Sequence, residues 1–515
     1  MNKRIRNIGR ASLSIFKRII LVIVTLLLIA LQALTLYSVI FTASQIKWLY
    51  ILINIIGYCC VISLIDKDMV SSFKLIWIII ILIFPFVGTI FFITCGDGRT
   101  FPIRKVRKIN EYLSQYMVKV NDLSTVKAFD ETAYKHVSVV NNGCGFYPHT
   151  NTLVKYYSDI DLKLKDLLID LKNATKYVFI EYFIISSGKM LDALMDVLEE
   201  ITSRGVEVKI IYDDFGSKRG LKEKDLKRIK TMSPNLIITK FAPLGVSLNL
   251  AVNYRDHRKI VVIDGKIGYV GGDNIADEYA NYITRFGKWR DNAIRMEGEA
   301  VDNLIFMFAE TWYLSTKHKL EMNNYRTGYS VKTDNLVFPY DDGPTDSKNP
   351  AADLYTSMIQ NAKKYIYIST PYFIIDQDFI NNLILASKSG VDVKILIPGI
   401  PDKKTVYILT QAHFGKLLRE GVKIYKYTPG FNHAKNFICD DKYATIGTVN
   451  VDYRSLYLHF ENGVYIVNDE TVNKLKQDFV KDIEQSTELT YEEWKKRKWY
   501  IKIYEFILKV FSTLM

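Results

Sequence analysis

The chain has 515 residues, enough for two or three domains with a large buried core, and its net charge is +13. Residues 1–18 carry six bases and residues 99–110 carry five, with no acid in either segment, whereas residues 111–490 are nearly neutral. This distribution favours an anionic membrane surface as a partner and argues against nucleic acid, which would need a basic channel through the body. The five cysteines show no spacing typical of a zinc site or a disulfide framework.

The first 98 residues form a predicted α-helical transmembrane region with three uncharged hydrophobic runs, at 19–43, 48–65 and 75–94. Each run is long enough to cross a hydrocarbon layer of about 30 Å as a helix. The segments before and after the region are both basic and are both expected on the cytoplasmic side, which requires an even number of crossings. Pro85 and Gly88 weaken a regular helix in the third run. We therefore expect two crossings, one membrane-embedded segment and a cytoplasmic body.

A basic connector at 99–150 leads into a body built from an internal repeat. Three stretches recur in the same order in both halves: 176–184 with 364–374, 205–213 with 390–398, and 257–274 with 433–450. In each half, apolar β-rich runs alternate with helical stretches, which predicts α/β layers. We expect the two tandem halves to pack around a pseudo-twofold axis, with a site on that axis.

Turn-forming composition sets the boundaries within the body. The stretch 338–350 is rich in Pro, Gly and Asp, which predicts a linker between a first half at 151–337 and a second half at 351–490. After the second half, residues 491–515 combine Trp494 and Trp499 with a basic cluster and an apolar tail. This pattern is typical of a helix at a membrane interface, and the alternative is a helix docked on its own domain.

The strongest chemical signal is the pattern HxKxxxxD, which occurs twice, as His257, Lys259 and Asp264 and again as His433, Lys435 and Asp440. On a strand, His and Lys two residues apart point to the same face and can address one ligand. Lysine supplies charge and donors for a phosphate, and histidine can attack phosphorus or carry a proton. We take the six residues as the catalytic set, and within it we expect the aspartates to brace a strand and its loop.

Small residues and an asparagine follow each motif in register. Gly272 and Asn274 follow the first motif, and Thr448 and Asn450 follow the second. Small residues after an apolar strand let backbone amides approach an anion, and the asparagine side chain can donate to a non-bridging phosphate oxygen. These four positions are therefore candidate phosphate-binding residues.

Two such motifs with the downstream Gly–Gly/Thr–x–Asn pattern resemble the phospholipase D superfamily. The stretches "NYRDHRKIVVIDGKIGYVGGDNIADEY", "GKWRD", "YISTPYFIID" and "GTVNVDYRSLYLHFEN", behind a hydrophobic N-terminus, look like the bacterial cardiolipin synthases. The resemblance extends from the second hydrophobic run to the C-terminus. It implies two phospholipase D-like halves, no cofactor and no required metal.

The resemblance also implies a reaction and residue roles. One histidine attacks the phosphorus of phosphatidylglycerol and the other protonates the leaving glycerol. The second histidine then deprotonates a hydroxyl of another phosphatidylglycerol, whose attack gives cardiolipin. By analogy His257 is the nucleophile and His433 the acid/base, and the acids that match the family's histidine-orienting positions are Asp291 and Glu461.

Three questions stay open from the sequence. The acceptor could be another alcohol, which would make a related phosphatidyltransferase, or water, which would make a phospholipase D-type hydrolase. Glu181 has no acidic counterpart in the second half, so it either breaks the symmetry between halves or pairs with a nearby base. His459 lies two residues before Glu461 and either faces the site or is an ordinary structural histidine.

Overall fold

The structure is a computed structural model that describes residues 44–67, 69, 71–95, 103–116, 123–144, 146–243, 254–345, 348–510 and 512. The chain divides into two compact units, 1–100 and 101–515.

The described part of the first unit is helical, with α1 (Ser44–Asp66), α2 (Ser71–Ile83) and α3 (Pro85–Cys95). Pro85 separates α2 from α3, as expected for a residue that cannot donate a backbone hydrogen bond. The run at 19–43 lies outside the described residues. Within the described ranges, no helix combines the length and the apolar character needed to cross a membrane, and the transmembrane region stays a prediction.

The second unit opens with helices α4 (Ile103–Leu113), α5 (Ser124–Phe129) and α6 (Glu131–Cys144). These helices pack on the body. The Tyr112 hydroxyl donates to the Leu320 carbonyl at 2.6 Å, and His136 Nδ1 lies 2.7 Å from the Tyr465 hydroxyl. Much of the segment predicted as a connector at 99–150 is therefore an integral part of the body, because its apolar helix faces are covered there.

The first half contains eight strands in its described residues: β1 (Thr152–Tyr157), β2 (Tyr177–Tyr182), β3 (Glu207–Asp213), β4 (Leu236–Phe241), β5 (Lys259–Ile263), β6 (Ile267–Gly271), β7 (Lys288–Arg290) and β8 (Ala293–Gly298). Its helices are α7 (Ile160–Lys172), α8 (Lys189–Ser203), α9 (Asp214–Ser217), α10 (Glu223–Thr231) and α11 (Val301–Thr316), followed by a 3-10 turn at Met322–Asn324.

The second half contains the strands β9 (Leu336–Asp342), β10 (Tyr365–Ser369), β11 (Phe373–Ile374), β12 (Asp392–Pro398), β13 (Lys423–Tyr427), β14 (Gly430–Asn432), β15 (Asn436–Cys439), β16 (Tyr443–Gly447), β17 (Val451–Asp452), β18 (Glu461–Val467) and β19 (Ser486–Glu488). Its helices are α12 (Pro350–Asn361), α13 (Gln377–Lys388), α14 (Lys404–Ala412), α15 (Phe414–Arg419), α16 (Tyr453–Tyr457), α17 (Glu470–Glu484), α18 (Tyr491–Lys495) and α19 (Trp499–Val510).

The two main sheets share one strand order. The first runs β1-β8-β6-β5-β2-β3-β4, and the second runs β9-β18-β16-β15-β10-β12-β13 with β19 added at its edge. Strands β2 and β10 are buried along their whole length, because helices cover both faces of each sheet. Helix α11 packs against β5 of the first sheet and β9 of the second, so the core continues across the halves. The predicted α/β fold with two equivalent halves is confirmed.

The linker predicted at 338–350 is wrong in its first part. Residues 338–342 belong to β9, which pairs antiparallel with β18 and forms one edge of the second sheet. Pro339 hid this strand, but a proline is tolerated at a sheet edge, where its missing N–H removes no ladder bond.

The C-terminal segment ends in two helices with different surroundings. Trp494, in α18, donates from Nε1 to the Gln411 carbonyl at 2.8 Å, so this part is docked on the body. Helix α19 packs beside α14, yet Trp499 and Phe506 are each 72% exposed. The alternative of a helix docked on its own domain is confirmed for α18, and membrane contact through the exposed face of α19 stays a prediction.

Candidate active site

Both motif histidines are placed by backbone contacts between the halves. The His257 N–H donates to the Phe460 carbonyl at 2.8 Å, and the His433 N–H donates to the Arg290 carbonyl at 2.7 Å. Around the second contact, β14 pairs in parallel with β7. In each case the acceptor residue immediately precedes a candidate acid, Glu461 or Asp291. The packing of the two halves therefore brings each histidine beside an acid from the opposite half.

Each imidazole is paired with the acid of the other half. His257 Nδ1 lies 2.8 Å from Glu461 Oε2, and His433 Nδ1 lies 2.6 Å from Asp291 Oδ2. All four side chains are buried, so little water competes for these contacts. When the carboxylate accepts a hydrogen bond from Nδ1–H, the lone pair of the neutral ring is on Nε2. This nitrogen is then free to attack phosphorus or to take a proton.

Burial sets the charge states of the two pairs. It lowers the pKa of His257 to about 3 and holds the pKa of His433 well below its usual range, with Lys435 adding to the effect on His433. Burial also raises the pKa of Asp291 to about 6. Both imidazoles are therefore neutral at pH 7 when no anion is bound, as a nucleophile or general base requires.

The two motif lysines are buried beside the histidines. Lys259 Nζ donates to the His257 carbonyl at 2.6 Å, and Lys435 Nζ donates to the His433 carbonyl while lying 2.7 Å from His433 Nδ1. Burial lowers the pKa of Lys259 to about 8 and that of Lys435 to about 7. Their charged forms are costly in the empty site, and an anionic ligand offsets this cost.

The motif aspartates lie away from the histidines and hold the sheets together. Asp264 accepts from the backbone N–H groups of residues 175–177, and Asp440 accepts from those of residues 363–365, at 2.7–3.0 Å. Both have positive φ, 52° and 55°, a conformation that aspartate tolerates better than most residues. They brace the starts of β2 and β10, which confirms the expected bracing, and their place in the catalytic set is corrected to a structural role.

Of the four candidate phosphate-binding positions, the two asparagines keep a hydrogen-bond donor free and the other two do not. Asn274 Oδ1 accepts from the Ile184 N–H at 2.9 Å and its Nδ2 donates to Tyr279, and Asn450 Nδ2 donates to Ser455 at 3.1 Å. Each amide nitrogen has a second hydrogen left to donate. Both asparagines therefore remain proposed phosphate ligands.

Gly272 and Thr448 do not offer a free donor, which corrects their predicted role. The N–H of each donates to a carbonyl, of Asn292 and Asn462 respectively, and the Thr448 hydroxyl donates to Glu461 Oε2 at 2.5 Å. Thr448 therefore supports Glu461. At Gly272, a Cβ atom would lie 2.2 Å from Asp291 Oδ1, so the glycine makes room for the acid that contacts His433.

Arg258 is a key residue that the sequence reasoning missed. It is fully buried and points away from its neighbours in the motif, donating to Glu310 at 2.8 Å and to Asp341 of the second sheet at 3.1 Å. The charge of Arg258 also acts on the buried carboxylate of Glu181, but burial outweighs it and raises the pKa of Glu181 to about 7, so the two residues do not form a fixed ion pair. No local signal marked Arg258, because it lies among several charged residues that precede β5.

His459 faces the site, and its counterpart in the other half is different. The residue two positions before each acid packs against a motif histidine: the His459 ring is 5.8 Å from that of His257, and the Trp289 ring is 5.4 Å from that of His433. The two sites are thus alike in their acids but differ in these neighbours.

Comparisons with known proteins agree with this geometry. A family model described as cardiolipin synthase, PLD-like domain matches residues 167–285 and again residues 355–483. A cardiolipin synthase of Staphylococcus aureus is 35% identical over 463 residues, covering 85% of this chain and 90% of that protein. Cardiolipin synthase 2 of Staphylococcus epidermidis is 35% identical over 458 residues, covering 85% of this chain and 92% of that protein.

Two further likenesses extend these matches. An uncharacterised protein of Streptococcus mutans is 35% identical over 460 residues and covers 88% of this chain. The crystal structure of phosphatidylserine synthase from Haemophilus influenzae shares the fold, with a TM-score of 0.56 at 16% identity over 74% of this chain and 96% of that one. From the level of identity and the shared length, the chain belongs to the cardiolipin synthase family of phospholipase D-like phosphatidyltransferases.

Proposed function

We propose that this chain transfers the phosphatidyl group of one phosphatidylglycerol to a hydroxyl of another, giving cardiolipin and glycerol. The observation that carries the proposal is the pair of crossed contacts, in which each neutral histidine is backed by an acid of the opposite half. Two such groups suit a displacement at phosphorus in two steps, one for the nucleophile and one for the acid/base.

In the first step, His257 Nε2 attacks the phosphorus of phosphatidylglycerol, and the bond from phosphorus to the glycerol oxygen breaks. His433 supplies the proton that the leaving glycerol needs. His257 then carries the phosphatidyl group through a P–N bond, and Glu461 stabilises the positive charge on the imidazole. The Nδ1 contact with Glu461 leaves Nε2 of His257 free, as the contact with Asp291 does for His433, and the nucleophile is assigned to His257 by analogy with the family.

In the second step, His433 takes the proton from a hydroxyl of the second phosphatidylglycerol. The alkoxide oxygen attacks phosphorus, the P–N bond breaks, and His257 is restored. Lys259, Lys435 and the side-chain amides of Asn274 and Asn450 are proposed to donate to the non-bridging oxygens, where charge develops in the transition state.

A charge balance explains how His433 becomes an acid. With neutral imidazoles, the two lysines offset the charges of Glu461 and Asp291. The bound phosphodiester adds one negative charge in a buried site, and a proton on His433 restores neutrality. Substrate binding therefore raises the pKa of His433 and charges the general acid when it is needed.

We also propose that the enzyme works at a bacterial membrane with its body on the cytoplasmic side. The basic segments at both ends of the N-terminal region support this orientation. Large apolar side chains exposed on the described helices, Trp48 and Leu49 on α1 and Trp499 and Phe506 on α19, support contact with lipid.

The test is a product analysis with purified full-length protein in mixed micelles. Phosphatidylglycerol labelled in the glycerol headgroup and in the acyl chains is incubated, and the products are resolved. The proposal predicts labelled cardiolipin and one free glycerol per cardiolipin. Phosphatidic acid as the sole lipid product would show a hydrolase and contradict the proposal, and added alcohols giving other phosphatidyl esters in preference to cardiolipin would indicate a different acceptor.

A further inference from the structure

The imidazole of His459 makes no hydrogen bond in the described part of the chain. Its side chain is 13% exposed, and neither ring nitrogen has a hydrogen-bond partner there. Its Nδ1 lies 3.6 Å from Glu461 Oε1, which is too long for a hydrogen bond. Glu461 Oε1 is itself buried without a partner, since Oε2 accepts from both His257 and Thr448. His459 Nδ1 and Glu461 Oε1 thus face each other at an ion-pair distance, without a close hydrogen bond.

These groups form a ligand set for a transition metal together with His257. One ligand atom from each of His257, His459 and Glu461 lies within 4.8 Å of the others. Two imidazoles and one carboxylate with an open fourth position are a common zinc set. Zinc bonds of about 2.1 Å place such ligand atoms about 3.4 Å apart, so small side-chain rotations would close the site.

The pseudo-twofold provides an internal comparison. At the second histidine, the place of His459 is taken by Trp289, whose indole is not a zinc ligand. The ligand set is therefore complete at His257 and incomplete at His433.

We propose that His257, His459 and Glu461 bind one Zn²⁺ ion and that this ion reversibly inhibits the enzyme. The inhibition rests on the proposed role of His257 as nucleophile. Zinc on Nε2 occupies the lone pair that attacks phosphorus, and zinc on Nδ1 displaces the contact with Glu461 that leaves this lone pair free. The ligand class is a borderline-soft divalent ion that prefers nitrogen, so Mg²⁺ and Ca²⁺ are not expected to bind.

The binding test does not depend on activity. Full-length protein in detergent is treated with a chelator, and Zn²⁺ is titrated against a fluorescent zinc indicator. Co²⁺ is added separately, and its visible absorption reports the coordination. We expect one tight Zn²⁺ site per chain and an absorption spectrum of a tetrahedral complex. His459→Asn should weaken binding by at least about 100-fold, and His318→Asn, an exposed histidine outside the site, should leave it unchanged.

Lipid assays at several Zn²⁺ concentrations then test the inhibition. We expect Zn²⁺ to reduce transfer at least tenfold, a chelator to restore it, and His459→Asn to shift the inhibitory concentration upward as far as its affinity falls. Equal zinc affinity in the unsubstituted and His459→Asn proteins, or binding without inhibition, would overturn the proposal. If His459→Asn is inactive even in the presence of the chelator, its zinc affinity in the indicator titration alone tests the proposed site. Zinc binding at His459 in a protein that makes no cardiolipin would refute the proposed function alone.

Discussion

The crossed pairing predicts that an acid in the first half controls a histidine in the second. Asp291→Asn keeps the size of the side chain and an oxygen able to accept the Nδ1 proton of His433. It removes the negative charge that lies 2.6 Å from the ring. Asp291 is buried, so solvent offers little compensation. The variant should therefore weaken every step in which His433 carries an extra proton.

The size of the effect follows from the separation of the charges. A unit charge on the imidazolium and one on the carboxylate about 4 Å apart interact by about 4 kcal/mol at an effective dielectric constant of about 20. The amide dipole of asparagine retains part of this stabilisation. We expect a net loss of about 3 kcal/mol, which is about a 100-fold decrease in kcat/KM. Because His433 gains its proton when substrate binds, the loss is shared between KM and kcat, and kcat/KM measures the whole effect.

The assay is cardiolipin formation from phosphatidylglycerol in mixed micelles at pH 7.5 ± about 0.5, above the range in which Asp291 takes up a proton. Asp170→Asn is the matched control. Asp170 lies in the same half and bonds Arg295 at 2.6 Å, but it contacts neither motif histidine among the described residues. It should keep kcat/KM within about threefold. A decrease in transfer of less than about tenfold in Asp291→Asn would show that Asp291 does not support catalysis through His433.

Three further predictions concern pH and stability. Because burial raises the pKa of Asp291 to about 6, transfer should fall as the pH drops through about 6, and Asp291→Asn should flatten this limb of the pH–rate profile. Asp440→Ala removes the acceptor of three backbone N–H groups at the start of β10 and should lower the free energy of unfolding by about 2 kcal/mol, seen as a lower Tm, without changing the lipid product. Burial raises the pKa of Glu181 from 4.5 to about 7, so between these pH values the folded state holds a proton that the unfolded state releases. The resulting contribution to stability is fully present below about pH 4.5 and is lost as the pH rises through about 7. Glu181→Gln lacks this loss of stability. Its free energy of unfolding minus that of the unsubstituted protein should therefore be about 2–3 kcal/mol larger at pH 8 than at pH 5 in parallel denaturant titrations. A difference that does not change with pH would contradict the protonation of this carboxyl.

The repeat and the motifs were accessible from the sequence because they are local patterns. The i and i+2 spacing of His257 and Lys259 depends on strand geometry alone, and equal order in both halves predicts equal sheets. The partners of the histidines are not local. Glu461 lies 204 residues from His257, and its contact depends on how the halves pack. A motif can supply the candidate acids, but which acid meets which histidine is decided by tertiary structure.

The errors have physical causes of the same kind. Strand β9 was read as a linker because Pro339 and the acids that follow it are typical of loops, whereas Asp341 is buried against Arg258 of the other half. Gly272 and Thr448 were assigned to phosphate because small residues commonly line anion sites. In the structure they make room for Asp291 and support Glu461. Both errors come from contacts between distant segments that sequence spacing does not encode.

The location of the covalent intermediate tests the assigned roles of the two histidines most directly. His433→Ala is incubated with phosphatidyl-p-nitrophenol, whose leaving phenolate needs no proton from His433. The protein is then quenched in alkali to preserve a P–N bond, digested, and mapped by mass spectrometry beside His257→Ala. If His257 is the nucleophile, the His433→Ala protein carries a phosphatidyl group on the peptide that contains His257, and the His257→Ala protein carries no adduct. An adduct on His433 in the His257→Ala protein would contradict the assigned roles.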